Sequence, residues 1–285
     1  MTRYGASDDE GVIWSLHAGP YQESDDSGDH LITDPPYGAR THRGHNEAHR
    51  QVTDATGQPT RRAISYQHWT PEDVHALVSW TTDPVGGAPR IGGWRVCMTS
   101  HDLVPAYEEA YKKAGLYAFA PVPLVIPRPR LLGDGPPSWL IYLMIARPRI
   151  RAFMSWGCTR GEYRSSCERK SPVVGAKRLE VMAQIVSDYS RPNDVVVDPC
   201  AGYASTGVAS LLTGRLFRGS EVDATLAEKA ATRLDLASAG EIRLKPGWND
   251  AKEKRDRARP RPRKNRVRRG AVRQRDAGGV RPDPG

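Results

Sequence analysis

No run of 18 apolar residues occurs anywhere in this 285-residue chain, so the sequence contains no helix able to span a bilayer. Apolar residues make up only 38% of it and the mean hydropathy is −0.59, yet the length allows one or two domains with a full core. The first ten residues are polar and acidic, unlike a secretory signal. Cysteine is scarce, with four residues at positions 97, 158, 167 and 200 and no Cys-x-x-Cys pair. A chain of this size needs no disulfide staples, so the expected setting is a reducing cytoplasm. Cys158 and Cys167 stand too far apart, with no second pair following, to argue for zinc. His45-Asn46-Glu47-Ala48-His49 lacks the glutamate directly after the first histidine that a zinc-protease helix carries, and no metal is expected.

The net charge of +9 is unevenly placed. Residues 251–285 hold 14 Lys and Arg against 4 Asp and Glu, a net of +10, which leaves the remainder near neutral at −1. The same stretch carries several prolines and glycines and almost no large apolar side chain, so it cannot bury a core. The chain therefore divides into a folded body, 1–247, and a basic disordered tail, 248–285. Arginines such as Arg263 and Arg268 in a flexible arm neutralise a polyanion without a fixed shape.

Along the body, Val12–Leu16 and Leu31–Thr33 read as short strands. Arg40 to Arg62 is polar and without period, and is expected to be a long loop. Thr70-Pro71-Glu72-Asp73 is a helix start, with a cap residue, a proline in the first turn and then acids. That helix should run to about Trp80. A strand is expected at Trp94–Met98, a helix from His101 to Ala114 stopped by Gly115, extended chain from Leu116 to Ile126, and a buried strand at Trp139–Ile145. Gly175 to Tyr189 is amphipathic, with Leu179, Met182, Ile185, Val186 and Tyr189 on one side. A β-branched strand Val195–Val197, a helix to about Leu212, a strand Leu216–Glu221 and a helix Ala224–Ala237 complete the body. Alternation of this kind means a mostly parallel sheet with helices on both faces.

Two segments carry chemistry. His30-Leu31-Ile32-Thr33 ends on Asp34-Pro35-Pro36-Tyr37. Two prolines fix φ and leave no N–H for a ladder, so the Asp34 carboxylate and the Pro35 carbonyl are acceptors held in fixed directions. With the flat ring of Tyr37 beside them, they suit a planar heterocycle that bears an amine. The second segment is the small-residue loop Asp198-Pro199-Cys200-Ala201-Gly202-Tyr203-Ala204-Ser205-Thr206-Gly207, between a strand and a helix. Such loops admit a nucleotide-like ligand, and Glu221 follows Gly202 at about the 20-residue spacing at which an acid meets the ribose. Gly207-Val208-Ala209 excludes a triphosphate loop, and the glycine fingerprint of a dinucleotide site is incomplete. S-adenosylmethionine has no phosphate and needs an acid for its amino group, which Asp198 supplies, so it is the preferred ligand.

Together the two segments resemble the amino-methyltransferases that modify exocyclic nitrogens of DNA bases, including the orphan and phage-type methylases of that group. Asp34-Pro35-Pro36-Tyr37 looks like their catalytic motif. Asp198 to Thr206 looks like the cofactor motif Asp-Pro-Phe-x-Gly-Ser-Gly-Thr-Thr, and Lys177 like the lysine of the segment preceding it. Catalytic motif first and cofactor motif last is the circularly permuted order of the beta class. The resemblance covers about Val12 to Ala237. It implies a Rossmann-like methyltransferase fold and S-adenosyl-L-methionine as cofactor, held by Asp198, Cys200, Gly202, Ser205, Thr206, Glu221 and Lys177. DNA is the implied partner. The departures are Cys200 for the family's Phe, Tyr203-Ala204 for Ser-Gly, Arg178 for Pro, and no acid in Ala18-Gly19-Pro20, where the family often has Gly-Asp. Each is expected to weaken cofactor binding, and none touches the catalytic tetrapeptide.

The implied reaction methylates the exocyclic amine of a flipped base, N6 of adenine first and N4 of cytosine second. RNA or protein-amide methylation and a catalytically weakened DNA-binding protein are the alternatives. The recognition region of the class shrinks here to about Arg147–Gly175, with Arg160 and Arg164 among its arginines, and the 40–62 segment with Arg40 and Arg43 is expected to share DNA contact. Whether the chain acts as a monomer or a homodimer is left open by the sequence.

Overall fold

A computed structural model describes residues 2–9, 11–51, 56, 64, 66–126, 140–153, 155–165, 173 and 175–244, with the backbone alone for 47–51. The expected tail, with Arg263 and Arg268, lies outside the described residues, as does Cys167.

Five strands form a parallel core: β2 (Gly11–Ala18), β3 (His30–Thr33), β6 (Arg95–Thr99), β11 (Val195–Asp198) and β12 (Leu216–Glu221). They stand in the order β2-β12-β11-β3-β6. At one edge β1 (Thr2–Asp8) pairs antiparallel with β2. At the other, β9 (Leu140–Arg147) runs antiparallel to β6, and β7 (Tyr117–Ala118) and β8 (Val122–Val125) pair with β9. The strand β10 (Tyr163–Arg164) closes that edge beside β8, and β4 (Pro84–Val85) with β5 (Ala88–Pro89) form a separate small hairpin. Leu31, Ile32, Val96, Met98, Val196 and Val197 are fully buried, as strands covered on both faces require.

Helices α2 (Pro71–Thr82) and α3 (Val104–Lys113) bury Val74, Leu77, Tyr107 and Tyr111 on one face. On the other face, α4 (Leu179–Tyr189) packs over β3, β6 and β9 through Val181, Met182, Ile185 and Val186. Beside it lie α5 (Ser205–Leu212) and α6 (Ala224–Ser238). The start of α2 is capped as its sequence prescribes: the Thr70 N–H donates to Asp73 Oδ2 at 2.8 Å, and Pro71 occupies the first turn. Gly115 ends the α3 segment at φ +68. The architecture is the Rossmann-like one expected, mostly parallel with helices on both faces.

One expectation fails. The 40–62 segment is not a loop at its start, because α1 spans Ala39–Gln51. The helix has no apolar stripe to betray it. Its inward residue is His42, 7% exposed, with its ring 5.2 Å from Tyr66 and 6.0 Å from His68. Polar aromatic packing replaces the hydrophobic period.

Candidate active site

Strand order reverses between β11 and β3: β11 leads to β12 on one side, and β3 leads to β6 on the other. In an open α/β sheet the ligand crevice lies outside the carboxyl ends of the strands at this point. Both chemical segments arrive there, Asp34 directly after β3 and Asp198 as the last residue of β11.

The Asp34–Tyr37 loop is fixed from several directions. The Tyr37 hydroxyl donates to Asp34 Oδ1 at 2.8 Å, and Pro35 is buried. The Tyr37 carbonyl accepts from the Trp69 N–H at 3.1 Å, and the Gly38 N–H donates to Ser100 Oγ at 3.0 Å. A Cβ at Gly38 would meet Asp102 Oδ2 at 2.0 Å, so a larger residue there must displace the Asp102 carboxylate. Burial and the neighbouring Asp34 charge hold the Tyr37 hydroxyl well above its ordinary range, so it stays a neutral donor. Tyr66, 46% exposed, adds a second ring near this loop. Its hydroxyl is pushed up to about 12 by burial and then by the charge of Asp34.

Lys177 also comes here. Its ammonium pairs with Asp34 Oδ2 and lies 5.2 Å from the Tyr37 ring centroid. Lys177, expected from the resemblance to serve the cofactor, is paired here with Asp34.

In the second loop Asp198 is 1% exposed. Its Oδ1 accepts from the Thr33 hydroxyl at 2.6 Å and from the Cys200 N–H at 3.1 Å, and Thr206 adds a third hydrogen bond. Burial pushes its pKa up to about 6 against these donors. A carboxylate accepts about four hydrogen bonds, so one position remains for a ligand's ammonium. The Glu221 oxygens accept from the Gly202 N–H at 2.8 Å and the Asp223 N–H at 2.9 Å, and the Val222 backbone adds a third hydrogen bond, which leaves about one acceptor position for a hydroxyl. Gly202 sits at φ +54 with open space where a Cβ would be, which leaves room for a ligand to approach the backbone. These features fit S-adenosylmethionine.

The departures from the family motif cluster around this loop. Ala204, in the place of the second glycine, keeps a left-handed backbone at φ 54, ψ 39 and is fully buried. An alanine held there costs about 1–2 kcal/mol. Tyr203 is covered by the Arg233 guanidinium, 4.6 Å from its ring. Burial and the carboxylates of Asp198 and Glu221 hold the Cys200 thiol well above its usual range, so it is a neutral thiol and not a nucleophile. Gly19 lies at the same end of the sheet, its N–H donating to the Glu221 carbonyl at 2.9 Å.

The arginines expected to contact DNA separate into two groups. Arg40 and Arg43 are exposed on the first turns of α1, immediately after the catalytic loop. Arg164 is exposed and paired with Glu162 at 2.8 Å. Arg160 is occupied instead. It grips both oxygens of Asp188 at 2.9 and 2.8 Å, while the Tyr163 hydroxyl donates to Oδ2 at 2.7 Å. Asp188 is 3% exposed, and a buried carboxylate needs such partners. Arg160 thus ties the 155–165 segment to the end of α4. Thr33, Ser100 and Tyr66 belong to the site's framework and carry no sequence motif of their own.

No known family model matches the chain. Among characterised proteins, the DNA adenine methyltransferase YhdJ of Escherichia coli (strain K12) is 31% identical over 91 residues, 32% of this chain. The match spans about a quarter of that relative's length (26%). Among solved structures, the M1.HpyAVI–SAM complex aligns with a TM-score of 0.53 at 20% identity, covering 78% of this chain and 98% of that one. The chain shares that fold. The PvuII DNA methyltransferase (cytosine-N4-specific) aligns with the same TM-score, 0.53, at 12% identity, covering 85% of this chain and 89% of that one. The resemblance drawn from the two motifs therefore extends to the architecture that carries them.

Proposed function

We propose that the chain is an S-adenosylmethionine-dependent DNA methyltransferase acting on the exocyclic amine of a flipped base, with N6 of adenine the preferred target. The observation that carries this is the meeting of Asp34-Pro35-Pro36-Tyr37 with the Asp198–Glu221 loop at the strand-order reversal, with Tyr37 tied to Asp34. The local match to YhdJ, a DNA adenine methyltransferase, supports adenine. N4 of cytosine is the second reading, supported by the likeness in fold to the cytosine-N4-specific PvuII enzyme.

When bound, the cofactor supplies a methyl group on a sulfonium. Asp198 and Glu221 would hold its ammonium and its ribose hydroxyls, and Gly202 would let it lie against the backbone. The base leaves the duplex at a cost of a few kcal/mol and stacks on Tyr37, which returns on the order of 1–3 kcal/mol. Asp34 and the Pro35 carbonyl accept its two N–H groups. They return electron density to a lone pair otherwise delocalised into the ring, and they aim that lone pair at the methyl group. The amine, once methylated, would be cationic and would have one proton to lose. Asp34 is the carboxylate placed to receive it. Arg40, Arg43 and the basic tail would hold phosphates.

The test is transfer of labelled methyl from the cofactor to DNA, RNA and protein, followed by nucleoside mass spectrometry. N6-methyladenine in DNA is the expected product. N4-methylcytosine would move the target to the second reading, and label on RNA or protein alone would overturn the proposal.

A further inference from the structure

Lys177 enters the catalytic loop from the segment just before α4. Its ammonium pairs with Asp34 Oδ2, donates to the Gly175 carbonyl at 3.3 Å, and lies over the Tyr37 ring. The two side chains are largely withdrawn from water, 13% exposed for Lys177 and 20% for Asp34. Tyr37 takes the other carboxylate oxygen, Oδ1. Both oxygens of the catalytic acid are therefore engaged, and the ammonium stands where a base amine bound to Asp34 and stacked on Tyr37 would have to stand.

Charge points the same way. Methyl transfer builds positive charge on the amine nitrogen, and an ammonium on the same carboxylate opposes it in a site shielded from water. With Lys177 paired, the amine position on Asp34 is filled. Something must draw the lysine away, and the natural rival for an ammonium is another anion. A free nucleoside brings none, whereas a flipped nucleotide brings phosphates on both sides of its sugar.

We infer that Lys177 is a specificity latch: its ammonium occupies the amine position on Asp34 and gives it up only to a nucleic-acid phosphate, so the pocket admits a base only when the base is attached to its backbone. This rests on the base-methylating reading of the same site. The latch gives the chain a way to refuse free nucleosides that carry the same amine as the target.

The experiment compares the full-length wild type with Lys177→Met, which keeps the stem and removes the charge, and with Lys177→Arg, which keeps the charge. Calorimetry with adenosine should show at least tenfold tighter binding to Lys177→Met, with Lys177→Arg close to wild type. Binding of an adenine-containing single-stranded oligonucleotide should lose about 0.7 from its log-affinity against log-salt slope in Lys177→Met. Adenosine affinity unchanged or weakened in Lys177→Met would overturn the inference. A readout independent of that variant's folding is the acylation rate of Lys177, followed by peptide mass spectrometry. It should be slow in the wild type and several-fold faster in Asp34→Asn. Equal rates would overturn the latch whatever the activity. A slow, Asp34-dependent lysine in a chain that methylates no nucleic acid would instead remove the base-methylating reading while leaving the pairing intact.

Discussion

The hydroxyl of Thr33 donates to the carboxylate of Asp198 at 2.6 Å, joining the ends of two strands whose residues are 165 positions apart in sequence. Both groups are out of water. The bond holds the loop that follows Thr33 and the loop that follows Asp198 at one fixed spacing. Thr33→Val removes the donor and leaves the buried carboxylate short of a partner, at a cost of about 1–3 kcal/mol. Denaturant unfolding should show that loss, and calorimetry a weaker cofactor complex.

The pH dependence of cofactor binding follows from Asp198. Burial raises its pKa in the folded chain from 3.8 to about 6. The folded state therefore binds this proton more tightly than the unfolded one. The group's contribution to stability is full below 3.8 and is lost as pH rises through about 6. With Asp198 holding the cofactor's ammonium, as proposed, cofactor binding should run the other way, because the ammonium needs the ionised carboxylate. Affinity should be flat above pH 7 and fall by about tenfold per unit below 6. Calorimetry from pH 5 to 8 reads this, and Asp198→Asn should flatten the curve at low affinity.

Asp34 and Tyr37 are separable. Asp34→Ala should abolish methylated product while leaving cofactor binding nearly intact. Tyr37→Phe keeps the ring and loses only the hydrogen bond to Asp34, about 1.5–3 kcal/mol for a bond to a charged group. That corresponds to a fall in kcat/KM of roughly ten- to a hundredfold. Tyr37→Ala should fall further, by the stacking energy of on the order of 1–3 kcal/mol. Steady-state kinetics on one duplex decides. A fully active Asp34→Ala would remove the mechanism.

Removal of residues 251–285 should weaken DNA binding for all sequences alike. The slope of log affinity against log salt should flatten by about 0.9 for each phosphate that the tail no longer neutralises. The segment expected to read bases is short, about Arg147–Gly175. Each good pairing of a side chain with a base supplies only about 1–3 kcal/mol of discrimination. Long-read mapping of modified bases should therefore find a short or degenerate site. A unique site of six or more base pairs would contradict this.

Much of the fold was written in local chemistry. The Thr70-Pro71-Glu72-Asp73 start, the Val195–Val197 strand and the Leu216–Glu221 strand were legible because capping, β-branching and apolar runs act over a few residues. Helix α1 was not, because its inward side is His42 against Tyr66 and His68, groups that read as polar. The site divides in the same way. Asp34, Tyr37 and Glu221 stand in recognisable motifs. Thr33 looks like the last residue of a strand and nothing more, since its role depends on a partner in a strand far along the chain. Arg160 and Lys177 were legible as cations, but which carboxylate each one meets is decided by tertiary packing.

The sheet order has a consequence for how this molecule is made. Strands β2 and β3 are consecutive among the parallel strands in sequence, yet β12 and β11 stand between them. During synthesis the first two emerge early, with the edges meant for β12 and β11 unfilled. They cannot close on each other without displacing the places of strands still to come. Pairing across so long a separation is slow, and open strand edges invite association with other chains. Wedging the last two strands between the first two therefore assembles the catalytic centre and seals the sheet in one late step. A chain interrupted before β12 should be both inert and prone to aggregate.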